Sequence, residues 1–121
     1  QWWGAADYQT VVDAMEVKPG GRWRYVQRGA DGMEFAFHGF YHLVEDGTQL
    51  VHTIEFEGTP GHVGLETIQF ETLPDGRTKL IDRGVFQTVE ARDAMLSSGM
   101  EEGANATWDR LEALLREMAT A

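Results

Sequence analysis

The 121-residue sequence contains no cysteine, which excludes a disulfide framework and thiolate chemistry and agrees with a reducing cytoplasm. Basic residues are scarce: ten Lys and Arg stand against twenty Asp and Glu, for a formal net charge of −10. This charge repels nucleic acids and anionic lipids, so we expect neither nucleic acid nor membrane as a partner. No apolar run is long enough to span a bilayer. These absences favour a folded, acidic, cytoplasmic domain.

Turn signals recur at short intervals along most of the chain. They combine proline, which presets φ, glycine, which accepts a positive φ, and aspartate, which hydrogen-bonds its own backbone. The segments between them are rich in β-branched and aromatic residues, as is typical of strands. Because the connections are short, successive strands should pair antiparallel in a meander of hairpins. The predicted strands cover residues 8–18, 21–28, 34–45, 49–57, 64–73 and 77–87.

The third and fourth predicted strands can be paired through a two-residue loop at Asp46-Gly47. One face of the pair is then nearly apolar and the other carries more polar side chains, so the first face should form a core. The register of the last hairpin stays open. The pairs on the apolar face are Leu43 with Leu50, Tyr41 with His52, Gly39 with Ile54, and Phe37 with Phe56.

The hydrophobic period changes after Phe86 and predicts a helical region. Thr88 can cap a helix whose first turn contains Glu90, where a negative charge is favoured. Gly99 and Gly103 imply either a kink or a close approach to another backbone. The amphipathic pattern favours burying one helical stripe against the apolar face of the sheet. That stripe consists of Met100, Ala104, Trp108, Leu111, Leu115 and Met118.

Three stretches resemble a known family: VKPGGRWRYV, FAFHGFYHLVEDGTQLVHTIEFEG and GVFQTVEARDAMLSSGMEEGANATWDRLEALL. They are similar to the SRPBCC (START-like) superfamily, in its bacterial branch that resembles the C-terminal domain of the activator of Hsp90 ATPase. The resemblance implies one α+β domain over residues 1–121. Its fold would be the helix-grip, a curved antiparallel sheet of six strands wrapped around a long C-terminal α-helix. It also implies a hollow that binds a hydrophobic or weakly polar small molecule.

The sequence starts with two tryptophans and a glycine, Trp2-Trp3-Gly4, which match a motif that follows a first strand and a short helix in this family. The resemblance therefore implies one strand and one helix upstream of Gln1. Without them two strand edges would stay open, which invites pairing with another chain. A homodimer is accordingly one alternative for the assembly.

His52 and Asp82 are the polar candidates for the hollow. Each has two interpretations: His52 is a hydrogen-bonded core residue or a proton carrier, and Asp82 is a solvated edge carboxylate or an acid/base group with a raised pKa. Glu66 is a further inward candidate. Asp82 departs from the family pattern, which more often has a small or apolar residue there. The full set of candidates is Trp23, Tyr25, Phe37, Tyr41, His52, Ile54, Phe56, Phe70, Asp82, Met95, Met100 and Trp108.

Neither a metal site nor a cofactor is expected. His38 and His42 lie four residues apart on one strand, roughly 13 Å, which is too far to hold one ion together. His38 is better interpreted as a cross-strand partner of Glu55. No nucleophile elbow, phosphate loop or dinucleotide motif is present. Ligand binding is the leading hypothesis. The alternatives are a polyketide cyclase-like enzyme that uses His52 and Asp82 in an aldol-type closure, and a co-chaperone-like module with a chaperone partner.

Overall fold

The computed structural model describes residues 2–4 and 7–120. Its six strands form one antiparallel sheet in chain order, and two helices follow, which confirms the predicted meander and the helix-grip arrangement. All six predicted strands are present, with ends that differ by a few residues. The elements are β1 (Tyr8–Met15), β2 (Arg22–Gly29), β3 (Glu34–Glu45), β4 (Gln49–Phe56), β5 (Val63–Thr72), β6 (Thr78–Val85), α1 (Val89–Ser97) and α2 (Met100–Thr120).

The β3–β4 hairpin keeps the predicted register over most of its length and departs from it near the turn. Its loop has three residues instead of two, and Gly47 takes a positive φ of 74° there. The extra loop residue moves the pairing by one position, and a bulge between Tyr41 and Leu43 moves it back. The predicted pairing of Leu43 with Leu50 is therefore wrong: Leu43 lies opposite Val51 and so faces away from the helices.

The rest of the predicted register is confirmed where it can be compared, since Tyr41 lies opposite His52 and Phe37 opposite Phe56. These residues belong to the concave face, the side of the sheet that the helices cover. The opposite side is called the convex face below. Strand residues alternate between the two faces, so the register fixes the face of each candidate.

A glycine on β3 lets an indole cross from β2 to β4. Trp23 is 3% exposed, and its Nε1–H donates to the carbonyl oxygen of Thr53 at 3.1 Å. Gly39 pairs with Trp23 and lies beneath this contact. A Cβ at Gly39 would lie 1.8 Å from the Thr53 oxygen and 2.7 Å from the Trp23 nitrogen. Any larger residue at position 39 would therefore displace the strand or the indole.

The two N-terminal tryptophans join the sheet to the long helix. Trp2 stacks on Trp108 of α2 with ring centroids 6.0 Å apart. Trp3 turns to the sheet and meets the rings of Tyr25 and Phe37 edge-on, at 5.1 and 5.4 Å. Aromatic pairs in these geometries add stabilisation beyond the area they bury. The motif thus fastens α2 to the β2–β3 part of the concave face.

A break separates the two helices where the sequence predicts a kink or a close approach. The predicted cap of α1 is confirmed, because the hydroxyl of Thr88 accepts a hydrogen bond from the backbone N–H of Ala91 at 3.0 Å. After α1 the chain passes through Gly99 at a φ of 86°, which only glycine adopts readily. At Gly103, inside α2, a Cβ would meet no atom within 4 Å, so no other backbone approaches closely there.

The α2 helix covers the sheet through the middle of its predicted stripe. Ala104, Trp108 and Leu111 are half-buried, whereas Leu115 and Met118 are 53% and 64% exposed. Met100, at the start of the stripe, is 39% exposed, so the prediction that the whole stripe is buried is wrong at both of its ends. Neither helix has a fully buried residue among those described.

None of the helices in the described ranges is both long enough and apolar enough to cross a membrane.

Candidate functional site

The β2–β3 part of the concave face is a filled aromatic core, which we call the aromatic end. Trp23 and Tyr25 lie 4.7 Å apart, Phe37 and Phe56 lie 5.2 Å apart, and Tyr41 is 4% exposed. Burial raises the pKa of both the Tyr25 and the Tyr41 phenol, and each hydroxyl also influences the pKa of the other. These five candidates, together with Trp108 on the covering helix, therefore pack against protein.

The β4–β6 part of the concave face contains two hydrogen-bonded carboxyl groups, and we call it the carboxyl end. His52 lies opposite Glu66, and Glu66 lies opposite Gly84. Asp82 is two residues from Gly84 on the same face of β6, diagonal to Glu66. The two carboxyl groups are hydrogen-bonded to each other. Glu66 and Asp82 are called the carboxyl pair below.

The carboxyl pair holds a proton near neutral pH. Burial of the carboxyl group by protein atoms raises the pKa of Asp82 to about 7, even though the residue as a whole is exposed. Repulsion from Glu66 and the hydrogen bond to it act in the same direction, and His52 opposes them. Burial also raises the pKa of Glu66. Two close carboxylates avoid double ionisation by sharing a proton, so the pair titrates as a unit.

His52 connects the two ends of the concave face. Its ring lies edge-on to Trp23 at 5.8 Å and to Tyr41 at 6.0 Å. Its Nδ1 is 3.4 Å from the carbonyl oxygen of Thr53. Burial lowers the pKa of His52, and the Thr53 carbonyl and Asp82 partly counter this effect. The imidazole is therefore neutral at pH 7, and it presents a polar edge beside the carboxyl pair.

Apolar side chains that remain open to solvent surround the carboxyl pair. Phe70 and Leu80 lie opposite each other on β5 and β6, and they are 40% and 36% exposed. Ile68 lies opposite Asp82, and Ile54 is half-buried on β4. The term "hollow" below means the space over these side chains and the polar groups: Ile54, Ile68, Phe70, Leu80, His52, Glu66 and Asp82.

The remaining candidates, Met95 and Met100, lie on either side of the break between α1 and α2 and are both exposed. Two shallow concavities of about 300 Å³ lie away from the hollow. One is lined by Arg110, Ala113, Leu114 and Glu117 of α2, and the other by residues 63–65 and 85–87 of β5, β6 and the segment after it. Neither is lined by His52 or by the carboxyl pair.

Sequence reasoning ranked Glu66 below Asp82, although the structure makes the two equal partners. The sequence around Glu66 does not show the usual alternation of inward apolar and outward polar residues. Of its neighbours Leu65 and Thr67, the apolar Leu65 lies on the convex face and is 40% exposed. The usable signal is the β4–β5 register, since a partner placed opposite the inward His52 must itself point inward.

The convex face carries a second charged network, which is formed by Arg24, His38, Glu55 and Glu57. Arg24 binds Glu57 in bidentate fashion at 2.8 and 3.0 Å. His38 contacts Glu57 at 2.9 Å and Glu55 at 3.3 Å, so the predicted His38–Glu55 pair is confirmed. The hydrogen bonds from Arg24 and His38 lower the pKa of Glu57 to about 2. No set of three His, Asp or Glu side chains in the described residues is arranged to hold a metal ion.

The fold and the N-terminal motif agree with a family comparison. The model of the family described as Activator of Hsp90 ATPase homolog 1-like protein matches residues 1–116. The chain belongs to this family. The resemblance found in the sequence is thereby confirmed, and with it the helix-grip type of fold, in which sheet and helix can enclose a ligand.

Solved structures of bacterial proteins have the same fold as this family member. A Rhodobacter sphaeroides crystal structure is 28% identical, has a TM-score of 0.87, and matches over 96% of this chain and 75% of its own. An Arthrobacter aurescens solution structure is 25% identical, with a TM-score of 0.86 and coverages of 96% and 70%. A Mycobacterium smegmatis crystal structure is 27% identical, with a TM-score of 0.80 and coverages of 93% and 72%. No curated protein sequence matches the chain.

Proposed function

We propose that this domain binds a small, largely apolar molecule with one polar group in the hollow. The observation that carries the proposal is the open carboxyl end, where Phe70 and Leu80 keep apolar surface exposed beside three polar groups. Ligand sites typically combine apolar walls with a few convergent polar side chains. Membership in a family with a ligand-binding type of fold supports the same conclusion.

The aromatic contacts also support different roles for the two ends of the concave face. The aromatic end fastens α2 through Trp2, Trp3 and Trp108, so the helix does not need the carboxyl end for its attachment. Apolar surface at the carboxyl end is therefore available to a ligand without loss of the fold. Covering such surface is favourable by about 25 cal/mol per Å².

Binding of 1-naphthylmethanol, a neutral apolar alcohol, tests the proposal. We expect saturable binding by calorimetry and an increase in melting temperature. The Gly84→Phe variant should abolish binding, because position 84 lies opposite Glu66 on the concave face and, among the described residues, a Cβ there would meet only Phe86 within 4 Å. Arg83→Phe is the matched control: it adds the same ring one residue away on the convex face and should bind as the wild type does. Absence of binding to the wild type, or equal loss in both variants, contradicts the proposal.

General acid/base catalysis is a second candidate function, and the carboxyl pair with His52 is the observation that favours it. A carboxyl group that titrates near pH 7 can both give and accept a proton under physiological conditions. This is the chemistry that an enolisation or an aldol-type closure requires. If a turnover is found, Asp82→Asn should lower kcat at least tenfold, because the amide cannot give and accept the proton. Unchanged turnover in this variant excludes the role.

A further inference from the structure

The concave side of β4–β6 carries negative charge without any basic residue. Alternation along the paired strands places Lys79 and Arg83 on the convex face, where they lie opposite Glu71 and Thr67. The inward positions of these three strands are Leu50, His52, Ile54, Phe56, Gly64, Glu66, Ile68, Phe70, Leu80, Asp82 and Gly84. The carboxyl pair therefore supplies the formal charge at the carboxyl end.

The carboxylates of the two faces differ in their partners. On the convex face Glu57 receives two guanidinium hydrogen bonds from Arg24 and one contact from His38. Glu66 and Asp82 are hydrogen-bonded to each other, and no Lys or Arg among residues 2–4 and 7–120 forms an ion pair with either. His52, which lies opposite Glu66 and acts electrostatically on Asp82, is neutral at pH 7. The protein thus leaves the negative charge of the pair uncompensated beside an open apolar surface.

An organic ammonium group supplies the positive charge that the carboxyl pair lacks. Its N–H groups can donate charge-assisted hydrogen bonds to both carboxyl groups, and these are about twice as strong as neutral ones. The exposed ring of Phe70 lies on the same face and can accept the cation or its attached carbon chain. A ligand carboxylate would instead be repelled by the pair. A bare metal ion is disfavoured, since no three metal-ligating side chains converge in the described residues.

Building on the proposed function, we infer that the hollow selects ligands in which an apolar body carries an amine, and that it discriminates against apolar acids. The inference deepens the proposed site by naming the chemistry of the ligand's polar group. The carboxyl pair recognises the ammonium, and the open apolar walls take the body. Because Asp82 is exposed, the ammonium group keeps part of its hydration when bound.

Three compounds that share one ring system test this selection. They are 1-naphthylmethylamine, which is an ammonium cation at pH 7, neutral 1-naphthylmethanol, and the anion of 1-naphthoic acid. We expect the wild type to bind the cation about tenfold or more tightly than the alcohol, and the anion more weakly than the alcohol. Equal affinities for cation and alcohol, or tighter binding of the anion, would overturn the inference and leave the proposed function standing. Failure of all three compounds to bind would overturn both.

A second comparison separates recognition by the carboxyl pair from attraction by the overall charge of −10. The double variant Glu66→Gln/Asp82→Asn keeps the shape and hydrogen-bonding capacity of both side chains but removes their charge. Its affinities for cation and alcohol should agree within about twofold. The control Glu71→Gln/Asp75→Asn removes two exposed carboxylates near the β5–β6 turn and should keep the wild-type preference. Persistence of the preference in the first variant, or its loss in the control, would show that the net charge attracts the amine and would overturn the inference.

Discussion

The aromatic end and the carboxyl end of the concave face are made from neighbouring strands of one sheet, yet they differ in how their space is used. At the aromatic end Gly39 makes room that the Trp23 indole fills completely. At the carboxyl end the space beside Gly84 stays open, since a Cβ there would meet only Phe86 among the described residues, at 3.7 Å. The same residue type thus serves tight packing at one end and access at the other. The residues opposite the two glycines differ, since Trp23 lies opposite Gly39 and Glu66 lies opposite Gly84. This difference decides whether the space beside the glycine is filled or stays open.

This difference separates stability from binding within one small sheet. The aromatic end holds the buried rings, the indole hydrogen bond and the attachment of α2. The carboxyl end holds the groups whose pKa values are raised and the apolar side chains that face solvent. Polar groups with raised pKa values cost stability and are typical of functional sites. Substitutions at the aromatic end should therefore lower the free energy of unfolding more than substitutions at the carboxyl end.

The largest effect is expected at the centre of the aromatic end. Trp23→Ala removes a side chain that is 3% exposed and contacts Tyr25 and His52, and it also removes the hydrogen bond to Thr53. We expect a loss of about 3–5 kcal/mol in the free energy of unfolding. Phe70→Ala, which truncates an exposed ring at the carboxyl end, should cost about 1 kcal/mol or less. Urea denaturation of both variants measures the contrast, and equal losses would contradict it.

The next effect tests how tightly the aromatic end is packed. In Gly39→Ala the new methyl group must displace either the Thr53 carbonyl oxygen or the Trp23 indole, because its carbon would lie within 1.8 and 2.7 Å of their nearest atoms. We expect a loss of about 1–3 kcal/mol or more, as for other overpacked sites. Thermal unfolding, with near-UV circular dichroism to follow the tryptophans, measures it. A variant as stable as the wild type would show that the aromatic end can accommodate the added methyl group without loss of packing.

The order of the strands, the antiparallel pairing and the cap of α1 could all be predicted from the sequence, because turn residues and hydrophobic period are local signals. The swap of Leu43 to the convex face could not, since it depends on a loop residue and a bulge that compensate each other. Asp82 could be proposed as a candidate because it departs from the family pattern on the last strand. Its hydrogen bond to Glu66 depends on the β5–β6 register, which local sequence does not encode.

A smaller effect concerns the pH dependence that the carboxyl pair imposes. The pKa of Asp82 is about 7 in the folded state and about 3.8 in the unfolded chain, so its contribution favours folding below pH 4 and is lost as the pH rises through 7. Because the residue is exposed, solvent screening reduces this contribution to about 1 kcal/mol.

Asp82→Asn removes this dependence, so the wild type should lose about 1 kcal/mol relative to the variant between pH 5 and pH 8. Chemical denaturation of both proteins at several pH values measures the difference. A constant difference across this range would show that the carboxyl group titrates as it does in the unfolded chain. The carboxyl end would then lack its distinguishing charge state.

The smallest effect is expected from Gly84→Ala, the counterpart of Gly39→Ala at the carboxyl end. A methyl group at position 84 would lie 3.7 Å from the ring of Phe86, an ordinary contact distance, and the backbone there needs no positive φ. Because alanine restricts the unfolded chain more than glycine, the variant should be about 0.5 kcal/mol more stable than the wild type. Its affinity for 1-naphthylmethanol should fall about twofold, since the methyl group takes space beside Glu66. A loss of stability comparable to that of Gly39→Ala would mean that both ends are equally full, and the hollow would have no room for a ligand.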